Sequence, residues 1–141
     1  MIIIFFYIIQ HLLIIFVFYP MLKDIATEND IYQWQTAFYK HLLNDPITSP
    51  KFSHLNLEEH MPKIVAFWSF VLLEKEGYKT NVFEKHIPLN LEKIHFEKWL
   101  NYFTATTNEM FSGPNASIAL ERVKLLASTF LHKLTGEYHG F

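Results

Sequence analysis

Apolar residues along the chain recur mainly at intervals of three and four, the spacing of one face of an α-helix. One such series runs over residues 31–43, and Thr27 precedes it with Asp30 three positions later, a typical helix start. Prolines follow the series, so we expect this helix to end near Asp45 and a loop to come next.

The most regular stripe follows this loop. Asn56 can cap a helix there, and apolar residues at spacings of three and four continue from Met61 to Leu72, before Gly77. Proline is favoured at the first position of a helix. Two starts therefore stay open for this helix, one capped by Asn56 and one close to Pro62, and we expect the helix to extend to Gly77.

Three further helical segments occupy the C-terminal half of the chain. Glycine and proline bracket residues 81–87, which leaves room for two turns at most. A longer helix is predicted over residues 91–111 and a last one over residues 116–136, with Asn115 as its cap. No stretch alternates with the period of a β-strand. The sequence therefore predicts an all-α domain of four main helices and one short helix.

Residues 2–19 precede these helices and are almost wholly apolar, which makes them a candidate membrane span. A secretory signal peptide is disfavoured, because no basic residue precedes the stretch and no small-residue cleavage site follows it. Two interpretations of residues 1–20 stay open: a leader ahead of the true start at Met21, or a genuine membrane anchor. We expect the folded domain over residues 21–141, in the cytoplasm unless the anchor is genuine.

The amino-acid composition excludes several classes of function for this chain. The chain has 141 residues, enough for one domain, and 12 lysine and arginine residues against 14 acidic ones give a net charge of −2. This balance offers no basic face for nucleic acid. The absence of cysteine excludes disulfides, thiolate zinc sites and iron–sulfur clusters. The four glycines are isolated from one another, so no phosphate-binding loop is present.

The eight histidines are the candidate ligands for a metal or cofactor. His86 stands out because it lies in the short apolar segment, between helices rich in Phe and Trp. An imidazole in an apolar slot suits an iron porphyrin, which needs one neutral nitrogen ligand and apolar walls. Across such a slot, His60, Tyr39 and Trp99 could donate hydrogen bonds. A half-buried or capping role suits the other histidines that we weighed, which are His11, His41, His54, His132 and His139.

The chain carries a series of short motifs whose order and spacing are specific when taken together. These are Phe38-Tyr39, Pro50-x-Phe52, His60-x-Pro62, Phe67-Trp68, Tyr78 with His86 eight residues later, His95-Phe96-x-x-Trp99-Leu100, and Phe111-x-Gly113 followed by Arg122. The set resembles the group III truncated haemoglobins, small bacterial globins with a two-over-two helical sandwich. The resemblance covers residues 21–134, and the leader has no counterpart in that family.

The resemblance implies haem b, iron protoporphyrin IX, as the cofactor. His86 matches the proximal histidine that ligates haem iron. Tyr39, His60 and Trp99 match the distal positions that face bound gas, with His60 and Trp99 also in contact with the cofactor. His60 could donate a hydrogen bond, swing out as a gate or bind iron, and the sequence leaves these alternatives open.

Three aromatic residues complete the implied haem pocket. Phe52 matches a phenylalanine that wedges against the porphyrin, while Phe67 and Trp68 lie on the helix that covers the pocket. The segment before the proximal histidine departs from the family, which usually shows a glycine and then a Pro-Met pair. The residues found there in this chain are Thr80, Val82 and Phe83.

Three functions follow from these observations. The first is a haem protein that binds O2 and related diatomic gases such as NO and CO, with slow release because of its polar distal pocket. The second is an enzyme at the same site, a nitric oxide dioxygenase or a peroxide-reducing enzyme, supplied by an unidentified reductase. The third is a haem-free helical interaction module in which His86 and the aromatic residues belong to the core.

Overall fold

The computed structural model is built from helices, and no strand occurs among the residues it describes, which confirms the all-α prediction. The described residues are 1–18, 21–80, 86 and 89–135. The helices are α1 (Ile2–Phe18), α2 (Glu28–Asn44), α3 (Ser49–Phe52), α4 (Leu57–Leu72), α5 (Lys93–Met110) and α6 (Pro114–Thr135). The short helix predicted over residues 81–87 lies outside the described residues except for His86.

Four long helices enclose the core as two stacked pairs. Within the pairs, α2 packs against α4 and α5 packs against α6, and between them α2 contacts α5 and α4 contacts α6. Trp34 and Phe38 of α2 and Phe103 of α5 are almost fully buried between the helices. This is the two-over-two arrangement predicted from the sequence.

The loop predicted after α2 contains the short helix α3 and is held by a buried carboxylate. The backbone N–H groups of Ile47 and Thr48 donate to Asp45 Oδ1 at 2.7 and 3.2 Å. Its other oxygen accepts from Lys98 Nζ at 2.7 Å and from the Tyr102 hydroxyl at 2.6 Å. Asp45 therefore ties the end of α2 to α5, and α3 starts from a fixed turn.

The predicted Asn56 cap of α4 is confirmed, whereas the alternative start close to Pro62 and the predicted end at Gly77 differ from the structure. The helix begins at Leu57, because Asn56 Oδ1 accepts from the Glu58 N–H at 3.2 Å. Pro62 therefore lies inside the helix, where it removes one backbone hydrogen bond and the flanking turns keep theirs. The helix ends at Leu72 because Glu74 adopts a left-handed conformation with φ of 55°, so the turn comes before Gly77.

The start of α6 is capped by a distant carboxylate and not by Asn115 as predicted. The Asn115 N–H donates to Asp24 Oδ2 and the Ala116 N–H to Asp24 Oδ1, both at 2.9 Å. The Asn115 side chain instead donates to the Ile25 carbonyl oxygen at 2.7 Å. Gly113, with φ of +148°, permits this approach, since a Cβ there would lie 2.5 Å from Asp24 Cγ.

Helix α5 begins two residues later than predicted, at Lys93. Its first turn is closed by His95, whose Nδ1 accepts from the Glu92 N–H at 2.9 Å. His95 itself is buried. This histidine therefore has a structural role at a helix start, and the sequence analysis assigned it none.

The first half of helix α1, residues 2–9, presents its apolar side chains to solvent. Residues 2–9 have exposed fractions between 43% and 81%. The sequence predicted a candidate membrane span here, but among the described residues no helix combines the length and the apolar character needed to span a bilayer.

Candidate functional site

Tyr39 lies on the inner face of α2 and is buried, with 7% of its surface exposed. Its ring packs edge-on against Phe38 at a centroid distance of 5.3 Å and against His60 of α4 at 6.2 Å. Within the described part of the chain no group hydrogen-bonds to the Tyr39 hydroxyl, and burial raises its pKa. The hydroxyl is therefore a protonated donor with no protein acceptor among these residues.

His60 is half-buried one turn into α4. Its pKa lies below the ordinary value of 6.5, because burial disfavours the charged ring and electrostatic interactions with His86 and Lys63 add to this effect. The imidazole of His60 is thus neutral at pH 7. Because His86 affects the pKa of His60, the predicted proximal and distal histidines lie in one region of the molecule.

His86 packs against Phe130 of α6, with ring centroids 5.5 Å apart and the planes tilted by 42°. The predicted iron ligand therefore has an aromatic side chain as its neighbour, as an apolar cofactor pocket requires. The helical periodicity of α6 places Phe130 on the buried stripe. Periodicity does not reveal that this stripe meets His86, so sequence reasoning missed the contact.

Trp99 of α5 is half-buried and joins the site through Phe38. The Trp99 and Phe38 ring centroids are 5.9 Å apart, and Trp99 also stacks on Phe103 at 5.8 Å. No hydrogen-bond acceptor for the indole N–H occurs among the described residues. Phe38 thus links Tyr39 and Trp99, the two predicted distal donors, and the sequence analysis had not given it this position.

The other predicted pocket residues lie deeper in the core or further along α4. Phe52 is buried on α3, and Trp68 packs against Trp34 at 5.1 Å. Phe67 contacts Tyr78 at 5.3 Å. Between these three predicted residues and Tyr39 or His60, the described residues show no direct ring contact.

The donor set at this site fits a haem group. Tyr39 and Trp99 are donors without acceptors among the described residues, His60 is neutral, and His86 offers a nitrogen beside an aromatic wall. A porphyrin supplies the remaining iron ligands, so one imidazole suffices. The described residues contain no group of three or more His, Asp or Glu side chains that could hold a metal ion without a cofactor.

Comparison with known proteins identifies a family and two similar proteins. The family described as bacterial-like globin matches residues 21–132. Group 3 truncated hemoglobin ctb of Campylobacter jejuni subsp. jejuni serotype O:2 is 26% identical over 118 residues, covering 79% of this chain and 93% of that protein. The crystal structure of group III truncated hemoglobin from Campylobacter jejuni aligns with a TM-score of 0.74 and 25% identity, covering 84% of this chain and 100% of that chain.

The family match takes in the helices that carry Tyr39, His60 and Trp99, and the structural match confirms the truncated globin fold. The resemblance drawn from the short motifs is thereby confirmed. Globins bind small gaseous ligands such as O2, and membership of the family implies a haem group. The chain belongs to the bacterial-like globin family.

Proposed function

We propose that this globin holds haem b through His86 and binds O2 and related diatomic gases, including NO and CO, beneath Tyr39, His60 and Trp99. The observation that carries the proposal is Tyr39, a side chain with 7% exposure whose hydroxyl has no hydrogen-bond partner among the described residues. A gas molecule bound in front of this hydroxyl would supply the missing acceptor.

Each side chain of the proposed site has a separate task. The haem, when bound, supplies an iron atom that binds diatomic gases. His86 offers a ring nitrogen as the protein ligand, and Tyr39 and Trp99 donate hydrogen bonds to the gas, which slows its release. His60, being neutral, can donate or accept one hydrogen bond on the same side. Phe52, Phe67 and Trp68 are proposed to contribute apolar surface to the cofactor pocket.

The decisive test compares His86→Ala with His54→Ala after expression with haem supplied. His54 is exposed and lies between α3 and α4, so it serves as a matched control. We expect a Soret band and a CO-reduced spectrum from the unchanged protein and from the control, and loss or strong weakening of both in His86→Ala. The His86 variant is also expected to unfold more easily, because cofactor binding stabilises the native state. A colourless protein that folds equally well would support the haem-free interaction module.

The same site could also turn over as an enzyme, either oxidising nitric oxide to nitrate or reducing peroxide. Proton donors and a neutral imidazole on the ligand side are compatible with both reactions. Either reaction needs electrons from a partner such as a reductase. Steady-state consumption of NO or of hydrogen peroxide, with a reductase or an electron donor present, separates turnover from reversible binding.

A further inference from the structure

Aromatic rings form an unbroken series of contacts from the proposed gas site into the core. Trp99 stacks on Phe103 with centroids 5.8 Å apart, and Phe103 packs against Trp68 at 5.3 Å and against Trp34 at 4.9 Å. The indoles of Trp34 and Trp68 are themselves 5.1 Å apart. Three of these four residues, all except Trp99, are buried in the core.

The series continues from the core to the surface. Trp68 packs against Phe67 at 5.1 Å, and Phe67 packs against Tyr78 at 5.3 Å. Tyr78 is only half-buried, so its side chain lies near the surface. A proton leaving this hydroxyl therefore has a route to water, which the buried Tyr39 lacks. We name this series the aromatic relay; its members are Trp99, Phe103, Trp34, Trp68, Phe67 and Tyr78.

Oxidisable rings and phenylalanines alternate along the direct path of Trp99, Phe103, Trp68, Phe67 and Tyr78, and Trp34 lies beside this path. Indole and phenol rings are among the side chains that lose one electron most readily, whereas phenylalanine bridges the gaps between them. Electron tunnelling slows exponentially with distance, so several short steps are faster than one long step. We propose that the aromatic relay carries single electrons from Tyr78 to the gas site when a hydroperoxide is reduced there. This inference rests on the proposed haem site.

The electrons and protons of this reaction balance with a phenolic compound as the external donor. Hydrogen peroxide takes up two electrons and two protons to give two water molecules. Each electron reaches the site through Trp99, which is refilled through Phe103 and Trp68 from Tyr78. The phenolic O–H bond of Tyr78 breaks at this step, and its proton goes to solvent. A donor phenol then gives one hydrogen atom to Tyr78 and leaves as a phenoxyl radical, so two donor molecules serve one peroxide.

The environment of Trp34 prevents an electron vacancy from remaining on its indole ring. The Trp34 indole N–H donates to Thr107 Oγ1 at 3.0 Å. A threonine hydroxyl is a very weak base, so oxidised Trp34 keeps its proton and stays a strong oxidant. An electron vacancy on Trp34 is therefore passed on, and Tyr78, which lies near the surface, can lose the proton that traps it.

The test locates the radical in the haem-loaded protein after mixing with hydrogen peroxide and a nitroso spin trap. Mass spectrometry of the digested protein should find the trap attached to Tyr78, and Tyr78→Phe should abolish this adduct. Tyr32→Phe is the matched control, since Tyr32 is 51% exposed on α2 and makes no ring contact with the relay among the described residues. The control is expected to leave the Tyr78 adduct intact.

Trp68→Phe tests the interior of the relay, because it keeps a ring at the position but removes the oxidisable indole. We expect the Tyr78 adduct to be lost and the radical signal in electron paramagnetic resonance to persist on tryptophan. An unchanged Tyr78 adduct in Trp68→Phe, or equal labelling of Tyr32 and Tyr78, would overturn the proposal, since peroxide would then oxidise surface tyrosines directly. If Trp68→Phe fails to fold, the comparison of spin-trap labelling at Tyr78 and Tyr32 decides whether the proposal holds.

The Soret absorbance of each sample, read before peroxide is added, separates the two proposals. A protein without a Soret band contradicts the proposed haem site and therefore also the electron-transfer proposal, which depends on that site. A protein with haem but without a Tyr78 adduct contradicts the relay alone.

Discussion

Among the individual side chains, the Tyr39 hydroxyl sets the expected behaviour of the site. It is buried next to the neutral ring of His60, and Phe38 connects it to Trp99. A donor bonded to a ligand that carries partial negative charge contributes about 1.5–3 kcal/mol. Such an energy is large enough to govern how long a gas molecule stays bound.

Replacing this hydroxyl should therefore speed gas release. In Tyr39→Phe we expect O2 dissociation to accelerate by about tenfold or more, because each 1.4 kcal/mol corresponds to a factor of ten. Stopped-flow displacement of O2 by CO measures this rate. Tyr32→Phe, which removes an exposed hydroxyl from the same helix, is the control and should release O2 at the original rate. Equal rates for all three proteins would mean that Tyr39 does not touch the bound gas.

The lowered pKa of His60 predicts a definite dependence on pH. Because the folded protein takes up this proton less readily than the unfolded chain, the neutral ring contributes stability above pH 6.5, which is lost as the pH falls below that value. Lys63→Ala removes one of the positive charges that lower the pKa of His60. Titration of the His60 ring by nuclear magnetic resonance in the haem-free protein should therefore give a higher pKa in Lys63→Ala than in the unchanged protein. Lys40→Ala, on the exposed side of α2, should have no such effect.

Individual residues also show which parts of the site the sequence alone can predict. Tyr39, His60 and His86 were predicted as site residues because they belong to short motifs, and their roles stay predictions. The two histidines are close enough for His86 to lower the pKa of His60. Phe38 and Phe130 belong to ordinary apolar stripes. Which stripe faces which histidine depends on how the helices pack, and a local pattern contains no such information.

Among whole elements, the helix ends also divide into those that the sequence predicts and those that depend on distant residues. The cap of α2 was predicted, because Thr27 and Asp30 lie three residues apart and exchange hydrogen bonds with each other's backbone. The cap of α6 was predicted wrongly, because its carboxylate comes from Asp24, far away along the chain. Sequence spacing therefore identifies a cap only when both partners belong to the same turn.

The Asp24 contact can be tested through the stability of the helices that it joins. Asp24→Ala should lower the free energy of unfolding by about 1–2 kcal/mol, because two N–H groups at the start of α6 lose their acceptor. Urea titration followed by circular dichroism measures this change. Glu121→Ala, on the exposed face of α6, should stay within about 0.5 kcal/mol of the unchanged protein. A similar loss in both variants would rule out a capping role for Asp24.

For the molecule as a whole, α1 takes part in none of the main contacts between helices that the described residues show. Among the described residues the main helix contacts involve α2 to α6. Near the N-terminal side of the domain, the Ser112 N–H donates a hydrogen bond to the Lys23 carbonyl oxygen at 3.0 Å. The helix bundle was predictable because its helices follow the apolar periodicity. This hydrogen bond was not, because it joins two loops that have no periodic pattern.

Removal of residues 1–20 should therefore leave the globin domain intact. We expect the shortened protein to unfold within about 2 °C of the full chain, a difference that corresponds to well under 1 kcal/mol. Thermal unfolding and the Soret spectrum of the two proteins make the comparison. A large drop in melting temperature, or loss of haem on shortening, would mean that α1 stabilises the domain.

The Asp24 carboxylate also has a kinetic consequence. Its bonds to Asn115 and Ala116 bridge sequence separations of 91 and 92 residues, so the chain must close a very long loop before they can form. Contacts of this kind are expected to form after the rate-limiting step of folding. Loss of the carboxylate should then accelerate unfolding while refolding keeps nearly its original rate.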